Sequence, residues 1–199
     1  MNDLIKTRIE SLIRKYYREG EPAFEYYYSH VKAVADLAVA IAGQNPGLNA
    51  NTETIWQMAM VHDIGIRFAR APEIGCHGHL PYLAHGYKGR EIMEAEGFAA
   101  IAPICERHIG VGISCEEVIS QNLPLPERDM LPVTIEEEIV CYADKFFSKT
   151  AENPTQPKPL AKIRKGLQKY GDRKMVVFDR MVEKFGSEYI YNGYRHGAE

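Results

Sequence analysis

The chain has 199 residues, of which 45% are hydrophobic and 26% charged, the ordinary profile of a soluble globular protein with a sizeable core. Its formal net charge of -3 argues against nucleic acid or an anionic membrane as a partner. No apolar run approaches the ~20 residues that span a bilayer, and the N-terminus alternates charged and apolar residues too evenly for a signal peptide. We therefore expect a cytoplasmic protein without membrane contact.

Helical periodicity recurs along the chain, and no segment alternates apolar and polar residues long enough to predict a strand. The apolar positions, bounded by proline and glycine, predict three helices over residues 4–16, 22–43 and about 51–62. A loop rich in turn residues follows over residues 66–81. The fold class that this pattern indicates is all-α.

A fourth helix carries His85 and a fifth carries His108, each ending before a glycine, Gly97 and Gly110. Two pairs then fit the capping-box spacing that starts a helix. They are Ser114 with Glu117 and Thr134 with Glu137. The second pair opens a helix that runs through Phe146.

A proline cluster after residue 153 separates two further helical stretches, over residues 160–170 and 175–185, from the rest. We divide the chain into a helical domain over residues 1–150 and a short C-terminal helical extension over residues 151–199, packed on that core. The four cysteines lack any CxxC spacing and are predicted to be reduced, mostly buried thiols. They are Cys76, Cys105, Cys115 and Cys141.

Ionisable side chains fall on the apolar faces of the predicted helices. His30 shares a face with Val34 and Leu37, because residues three, four or seven apart lie on one side of a helix. The same holds for His62, His85, His108 and Asp144. A lone histidine on such a face is more often a hydrogen-bonded core residue than a ligand. Burying this many unpaired polar groups would cost several kcal/mol each, so a shared metal site explains the set better.

His62 is followed directly by Asp63, so both side chains can reach one point near the helix end. A carboxylate has two oxygens and can bridge two ions. With six candidate ligands, a two-metal centre is favoured over a single tetrahedral zinc. The candidate metal ligands are His30, His62, Asp63, His85, His108 and Asp144.

This ordered set resembles the HD superfamily of metal-dependent phosphohydrolases. His62-Asp63-Ile64-Gly65 looks like the HDIG form of the family motif, and Ala143-Asp144-Lys145 resembles its closing motif. His85 and His108 match the subset that binds two metals, as in the bacterial diadenosine tetraphosphate hydrolases of the superfamily. The resemblance covers roughly residues 22–150.

The resemblance implies an HD-domain helical bundle that holds two divalent metal ions, with iron, manganese, cobalt, nickel or zinc all acceptable to these ligands. It implies hydrolysis of a phosphate ester or anhydride, in a nucleotide-like small molecule, by a metal-activated water. Asp63 would orient the water, and Arg67 and Lys145 would counter the phosphate charge. Lys88, Arg90 and Arg107 are weaker candidates for phosphate binding.

Two features depart from the family pattern. Many relatives place a lysine directly after the HDIG motif, where this chain has Ile66 followed by Arg67. The Gly-Tyr-Pro signature of the cyclic-dinucleotide phosphodiesterases is missing after His108, which disfavours that substrate. His77 and His79 lie in the long loop and are either incidental or part of a lid over the site.

Two other functions stay open at this stage. Some HD-fold proteins resemble this six-ligand pattern yet use a di-iron centre as an oxygenase. A non-catalytic regulatory module is the third possibility, although such modules tend to lose ligands and all six positions are filled here. The metals and the redox behaviour would discriminate between these functions.

Overall fold

Helices make up most of the structure. The computed structural model describes residues 2–149 and 154–192. Within them lie ten α-helices: α1 Asp3–Tyr16, α2 Pro22–Gln44, α3 Thr52–Val61, α4 His85–Ala95, α5 Ile104–Arg107, α6 Cys115–Ser120, α7 Ile135–Asp144, α8 Leu160–Gln168, α9 Asp172–Phe185 and α10 Glu188–Asn192. Short 3₁₀ helices, Pro46–Leu48, Ile64–Phe68, Pro72–Ile74 and Tyr82–Ala84, lie between them. The predicted all-α fold is confirmed.

Side chains that accept hydrogen bonds from free backbone N–H groups define several helix starts. The Asn51 side chain accepts from the backbone N–H of Thr54 at 3.0 Å at the start of α3. Both predicted capping boxes are confirmed, at the starts of α6 and α7. The second box fixes where α7 begins and therefore where its last residue, Asp144, lies.

The core is built around α2. One side of this helix is buried, from Ala23 through His30 and Leu37 to Ala42, and it packs against α3 and α7. A second group of elements, α4 with α5 and the 3₁₀ helix Ile64–Phe68, packs beside them. The structure thereby places the ends of α3, α5 and α7 and the start of α4 around the middle of α2.

A small hairpin corrects the prediction that residues 66–81 lack strands. Strands β1 Arg70–Ala71 and β2 Cys76–His77 pair antiparallel, with Arg70 opposite His77 and Ala71 opposite Cys76. Two residues per strand are too few for an alternating pattern to be recognised. His77 and His79 are exposed, and no described residue is found hydrogen-bonded to either side chain. A lid function for them stays a prediction.

The C-terminal helices share the core of the rest of the chain. Phe178 and Phe185 of α9 contact Tyr142 of α7, and the Tyr142 hydroxyl donates to the Gly186 carbonyl at 2.9 Å. The predicted domain boundary, between residues 150 and 151, lies outside the described residues, so the division stays a prediction. The four cysteines are free thiols, and three of them are buried.

None of the helices in the described ranges is both long and apolar enough to cross a membrane.

Candidate metal centre

The six predicted ligands come from different elements and converge on one buried region. His30 lies in the middle of α2, while the other five lie at or next to the ends of helices. His62 and Asp63 follow α3, His85 opens α4, His108 follows α5 and Asp144 ends α7. All six are buried, with at most 8% of any of them exposed. The spacing along the chain therefore does bring together the residues that the sequence selects.

Backbone carbonyls fix the orientation of three of the imidazoles. Nδ1 of His62 donates to the Ala59 carbonyl at 2.6 Å, and Nδ1 of His108 donates to the Ile104 carbonyl at 3.1 Å. His85 makes the same kind of bond to the Tyr82 carbonyl. Because a carbonyl can only accept, Nδ1 carries a proton, and in the neutral imidazole the lone pair lies on Nε2. This arrangement commonly orients histidine ligands of metals.

The first cluster consists of His30, His62, Asp63 and Asp144, whose ligand atoms all lie within 4.8 Å of one another. Nε2 of His30 lies 3.2 Å from Oδ2 of Asp63 and 3.0 Å from Oδ1 of Asp144. Nε2 of His62 lies 3.2 Å and 3.6 Å from the same two oxygens. Ligands at ~2.1 Å from one ion are separated by roughly 3.0–3.4 Å, so the spacing suits a single cation.

The second cluster consists of Asp63, His85 and His108. Oδ1 of Asp63 lies 3.4 Å from Nε2 of His85 and 3.2 Å from Nε2 of His108, and the two imidazole nitrogens are 3.4 Å apart. Asp63 thus turns Oδ2 towards the first cluster and Oδ1 towards the second. This is the arrangement that a bridging carboxylate requires.

Buried polar atoms without hydrogen-bond partners test whether a cation fits. Among the described residues, Nε2 of His62, both ring nitrogens of His30 and Oδ1 of Asp63 are buried and make no hydrogen bond, whereas Oδ2 of Asp63 contacts the Lys149 ammonium group. Leaving such atoms unpaired costs roughly 1–3 kcal/mol each. A set of imidazole and carboxylate donors matches the preferences of first-row divalent ions. The His/Asp cluster therefore fits divalent metal binding.

The first cluster has a strongly polarised electrostatic environment. Burial would raise the pKa of Asp63, but the charges of Lys149 and His62 outweigh it and hold this pKa well below its usual range. The pKa of Asp144 is lowered in the same way, chiefly by Lys145. Burial also opposes protonation of His62, yet the two carboxylates raise its pKa to about 9. Both aspartates are therefore ionised at neutral pH.

The pKa values of the two histidines in the second cluster are lowered, whereas that of His62 is raised. Burial, with smaller contributions from His108 and Lys149, lowers the pKa of His85 to about 3. Burial is also the main cause of the lowered pKa of His108. Both imidazoles are consequently neutral at pH 7, which is the form that binds metals.

Glycines allow the close packing that places His85. The backbone of Gly65 lies directly against the His85 carbonyl and the Gly89 amide, so a side chain at position 65 would overlap the backbone of α4. Gly89 in turn packs against Cys105, just before His108. The glycine of the His-Asp-Ile-Gly motif therefore brings α4 within reach of Asp63.

A cavity of about 330 Å³ adjoins the first cluster and is lined by three lysines, Lys145, Lys149 and Lys158, together with Asp144 and Tyr82. Nζ of Lys145 lies 2.7 Å from Oδ2 of Asp144, and Nζ of Lys149 lies 2.7 Å from Oδ2 of Asp63. Lys145 therefore lies beside the first cluster, and its predicted role in phosphate binding stays a prediction.

Sequence reasoning missed Lys149 and Lys158. Lys149 could have been noticed, because it lies four residues after Lys145, the last residue of the closing motif. Lys158 carries no such signal, since it follows a proline cluster and reaches the cavity only through the fold.

The other predicted phosphate-binding residues are engaged elsewhere. Arg67 pairs with Glu21 at 3.2 Å, and both side chains are about a third exposed. The weaker candidates pair with carboxylates as well, Lys88 with Glu91, Arg90 with Glu94 and Glu106, and Arg107 with Glu137. Of the predicted cations, Lys145 is therefore the one found at the clusters.

Comparison with known proteins identifies the family. The family model described as HD domain matches residues 27–148, which include all six predicted ligands. The chain belongs to the HD-domain family. The resemblance that the motif residues indicate is thereby confirmed, and the two clusters of this HD domain lie at the positions of those motifs.

Two curated proteins are similar to part of this chain. An uncharacterized protein of Methanocaldococcus jannaschii is 38% identical over 126 residues, which are 62% of this chain and 67% of that protein. A tRNA (cytidine(56)-2'-O)-methyltransferase of Thermoplasma volcanium is 36% identical over 127 residues, 63% of this chain and 33% of that protein. The chain thus spans about a third of the length of that methyltransferase.

Solved structures of an HD domain are also similar. The HD domain of the phosphodiesterase PgpH of L. monocytogenes has a TM-score of 0.48 and 18% identity, covering 80% of this chain and 91% of that one. Its structure in complex with cyclic-di-AMP has a TM-score of 0.47 and 19% identity, covering 87% and 95%.

Proposed function

We propose that this HD domain is a metal-dependent phosphohydrolase acting on a small, nucleotide-like phosphorylated molecule. The observation that carries the proposal is the position of Asp63, which offers one oxygen to each of two buried clusters of imidazole and carboxylate ligands. Membership of the HD-domain family supports the same reaction class.

The ligand roles follow from the two clusters. His30, His62, Asp63 and Asp144 would hold one divalent ion, and His85 and His108 would hold a second that shares Asp63. When bound, the ions would supply a water of lowered pKa and positive charge for phosphoryl oxygens. Two histidines and a shared carboxylate leave coordination positions of the second ion open, as catalysis requires.

Lys145 is the protein cation best placed to bind the substrate phosphate. Its ammonium group contacts Asp144 and also donates to the His108 carbonyl at 3.3 Å, so it joins residues of both clusters. A fixed cation at this position would stabilise charge that develops on the phosphate in the transition state. The role of Arg67 in catalysis stays a prediction, and its pairing with Glu21 argues for a weaker effect.

A screen with a ligand variant tests the proposal. The purified chain, loaded separately with Mn²⁺, Co²⁺, Ni²⁺, Zn²⁺ or Fe²⁺, is assayed for phosphate release from nucleotides, dinucleoside polyphosphates and sugar phosphates. We expect turnover of at least one class, loss of turnover in Asp63→Asn, and reduced metal content in that variant by elemental analysis. Asp36→Asn, a carboxylate on the other side of α2, is the matched control. Undiminished metal content in Asp63→Asn would refute the ligand assignment.

The second metal position has its own test. The double variant His85→Ala/His108→Ala should lose activity while it keeps the fold and about one metal equivalent, because the first cluster is left intact. Unchanged turnover in the double variant would show that the enzyme needs one ion only.

A further inference from the structure

Three ammonium groups line the cavity beside the first cluster, and two of them lie beyond the region that matches the HD-domain family. The match ends at residue 148, so Lys149 and Lys158 lie outside the matched residues. Lys158 belongs to the segment that leads into α8. Its backbone is held in place, since its N–H donates to the Phe146 carbonyl at 2.7 Å and its carbonyl accepts from the Tyr191 hydroxyl at 2.9 Å.

The three lysines differ in how they are engaged. Lys145 and Lys149 each contact a carboxylate of the first cluster, Asp144 and Asp63 respectively. The Lys158 ammonium group has no ion-pair or hydrogen-bond partner within residues 2–149 and 154–192. Lys158 is half-buried and lines the same cavity. A partly buried cation that no described anion pairs is costly, and a ligand anion in the cavity would satisfy it.

From this arrangement we propose that the substrate is a phosphomonoester, whose terminal phosphate is bound between Lys145, Lys149 and Lys158. The proposal rests on the proposed phosphohydrolase function and narrows its substrate class.

The chemistry of the phosphate distinguishes monoesters from diesters at such a site. A terminal phosphate carries ≈ −1.5 to −2 charges at pH 7 and offers three strong acceptor oxygens. A diester carries a single charge and two unsubstituted oxygens, and its second organic group would have to occupy the space between the lysines. Three lysines around one cavity therefore favour the monoester, which carries the larger negative charge.

The rest of the cavity suits a small, uncharged organic group. Its volume of about 330 Å³ lies at the lower end of the range for small-molecule sites, ~300–1,000 Å³. Besides the lysines and Asp144, its lining includes the side chains of Tyr82 and Phe147 and the exposed Glu73. The Glu73 carboxylate would repel a further anionic group, which disfavours a polyphosphate chain extending past it.

The reaction is then the addition of water to phosphorus with cleavage of the ester P–O bond. The leaving oxygen takes one proton of the water and departs as an alcohol, and the phosphorus retains the hydroxyl oxygen as inorganic phosphate. No oxidant, reductant or further reactant is needed.

Two esters with the same leaving group, 4-nitrophenyl phosphate and bis(4-nitrophenyl) phosphate, test the inference on the metal-loaded chain. We expect kcat/KM to favour the monoester, and Lys158→Gln to lower it for the monoester by roughly tenfold to a hundredfold while changing the diester value much less. Lys158→Arg keeps the charge and should restore most of the monoester rate. Lys165→Gln, an exposed lysine of α8 outside the cavity, is the matched control. Circular dichroism and metal content verify that each variant is folded and loaded.

Equal effects of Lys158→Gln on both esters, or a preference for the diester, would overturn the inference while leaving the phosphohydrolase function standing. If neither ester nor any nucleotide is hydrolysed, the proposed function fails. The phosphate site formed by the three lysines is then tested separately, by measuring the binding of phosphate compounds. Calorimetric titration with inorganic phosphate and with dimethyl phosphate should then show binding of the first alone, weakened in Lys158→Gln. Equal affinity of Lys158→Gln and the unaltered chain for inorganic phosphate would refute the lysine site.

Discussion

Nζ of Lys149 lies 2.7 Å from Oδ2 of Asp63, so an ammonium group contacts the carboxylate shared by both ligand clusters. The pair is largely removed from solvent, since the Asp63 side chain is fully buried and that of Lys149 is 17% exposed. This contact neutralises one of the two buried carboxylates. The Lys149 ammonium group would therefore repel a divalent ion that binds at the first cluster.

Removing that charge should strengthen metal binding. Like charges a few ångströms apart repel strongly in a partly buried site, so Lys149→Met should bind Mn²⁺ at least about tenfold more tightly. Isothermal titration calorimetry of the metal-free protein measures the change, and Lys165→Met serves as a control with unchanged affinity. Weaker binding in Lys149→Met would mean that the lysine supports the metal site rather than opposing it.

Replacing Lys145 should lower phosphoester turnover much more than replacing Arg67. Lys145→Met should reduce phosphoester turnover roughly a hundredfold with metal content intact, because it removes a cation that contacts both clusters. Arg67→Met should reduce turnover much less, since Arg67 pairs with Glu21. Steady-state kinetics with elemental analysis compares the two. A larger loss in Arg67→Met would place the substrate on the other side of the site.

The close packing of Gly65 against α4 should be needed for metal binding by His85 and His108. Gly65→Ala forces a methyl group into the backbone of α4 and should lower the free energy of unfolding by about 1–3 kcal/mol, with loss of the metal at His85 and His108. Thermal unfolding and elemental analysis measure both effects. In Gly43→Ala the added carbon meets open space within α2, so stability should stay equal or rise. Unaltered stability and metal content in Gly65→Ala would contradict the packing argument.

The pH dependence of kcat/KM for a monoester should follow the protonation of Lys158. Burial, together with Lys145, Lys149 and Lys162, lowers its pKa to about 8, and Asp144 opposes this shift. Below pH 8 the ammonium group is charged and binds phosphate, so kcat/KM for a monoester should fall as the pH rises through about 8. Lys158→Arg should abolish this fall, because a guanidinium stays charged. A persistent fall in Lys158→Arg would assign the titration to another group.

Titration of Lys158 should affect stability in the opposite direction to activity. Its pKa is 10.5 in an unfolded reference and about 8 in the fold, so the unfolded chain binds more protons between these values. Titration of Lys158 therefore makes the free energy of unfolding rise between about pH 8 and 10.5. If activity and stability both fall over this pH range, a group other than Lys158 lowers the stability.

Local signals in the sequence predicted much of the fold. Ser114 and Thr134 start helices as expected, because capping depends on residues three positions apart. Helical spacing also placed His30 and Asp144 on buried faces, and the structure brings both to one cluster. Their role as metal ligands stays a prediction.

Features formed by distant segments could not be predicted. Arg67, in the 3₁₀ helix Ile64–Phe68, pairs with Glu21, which directly precedes α2, and no local pattern in the sequence marks this contact. The catalytic role of Arg67 stays a prediction. Lys158 reaches the cavity because the chain folds back after residue 153, and nothing in its neighbourhood marks it. The β1–β2 hairpin is too short to produce a periodic pattern.

Phosphate release with and without oxygen tests the central claim most directly. The protein is freed of metal with a chelator, reloaded with one divalent ion at a time, and assayed on the phosphoester panel in air and under anaerobic conditions. The account predicts that release depends on the metal and has equal rates in both atmospheres, because hydrolysis consumes no oxygen. Absence of phosphate release under every metal, with oxygen consumption by the iron-loaded protein in the presence of an organic substrate, would contradict it and establish oxygenase chemistry instead.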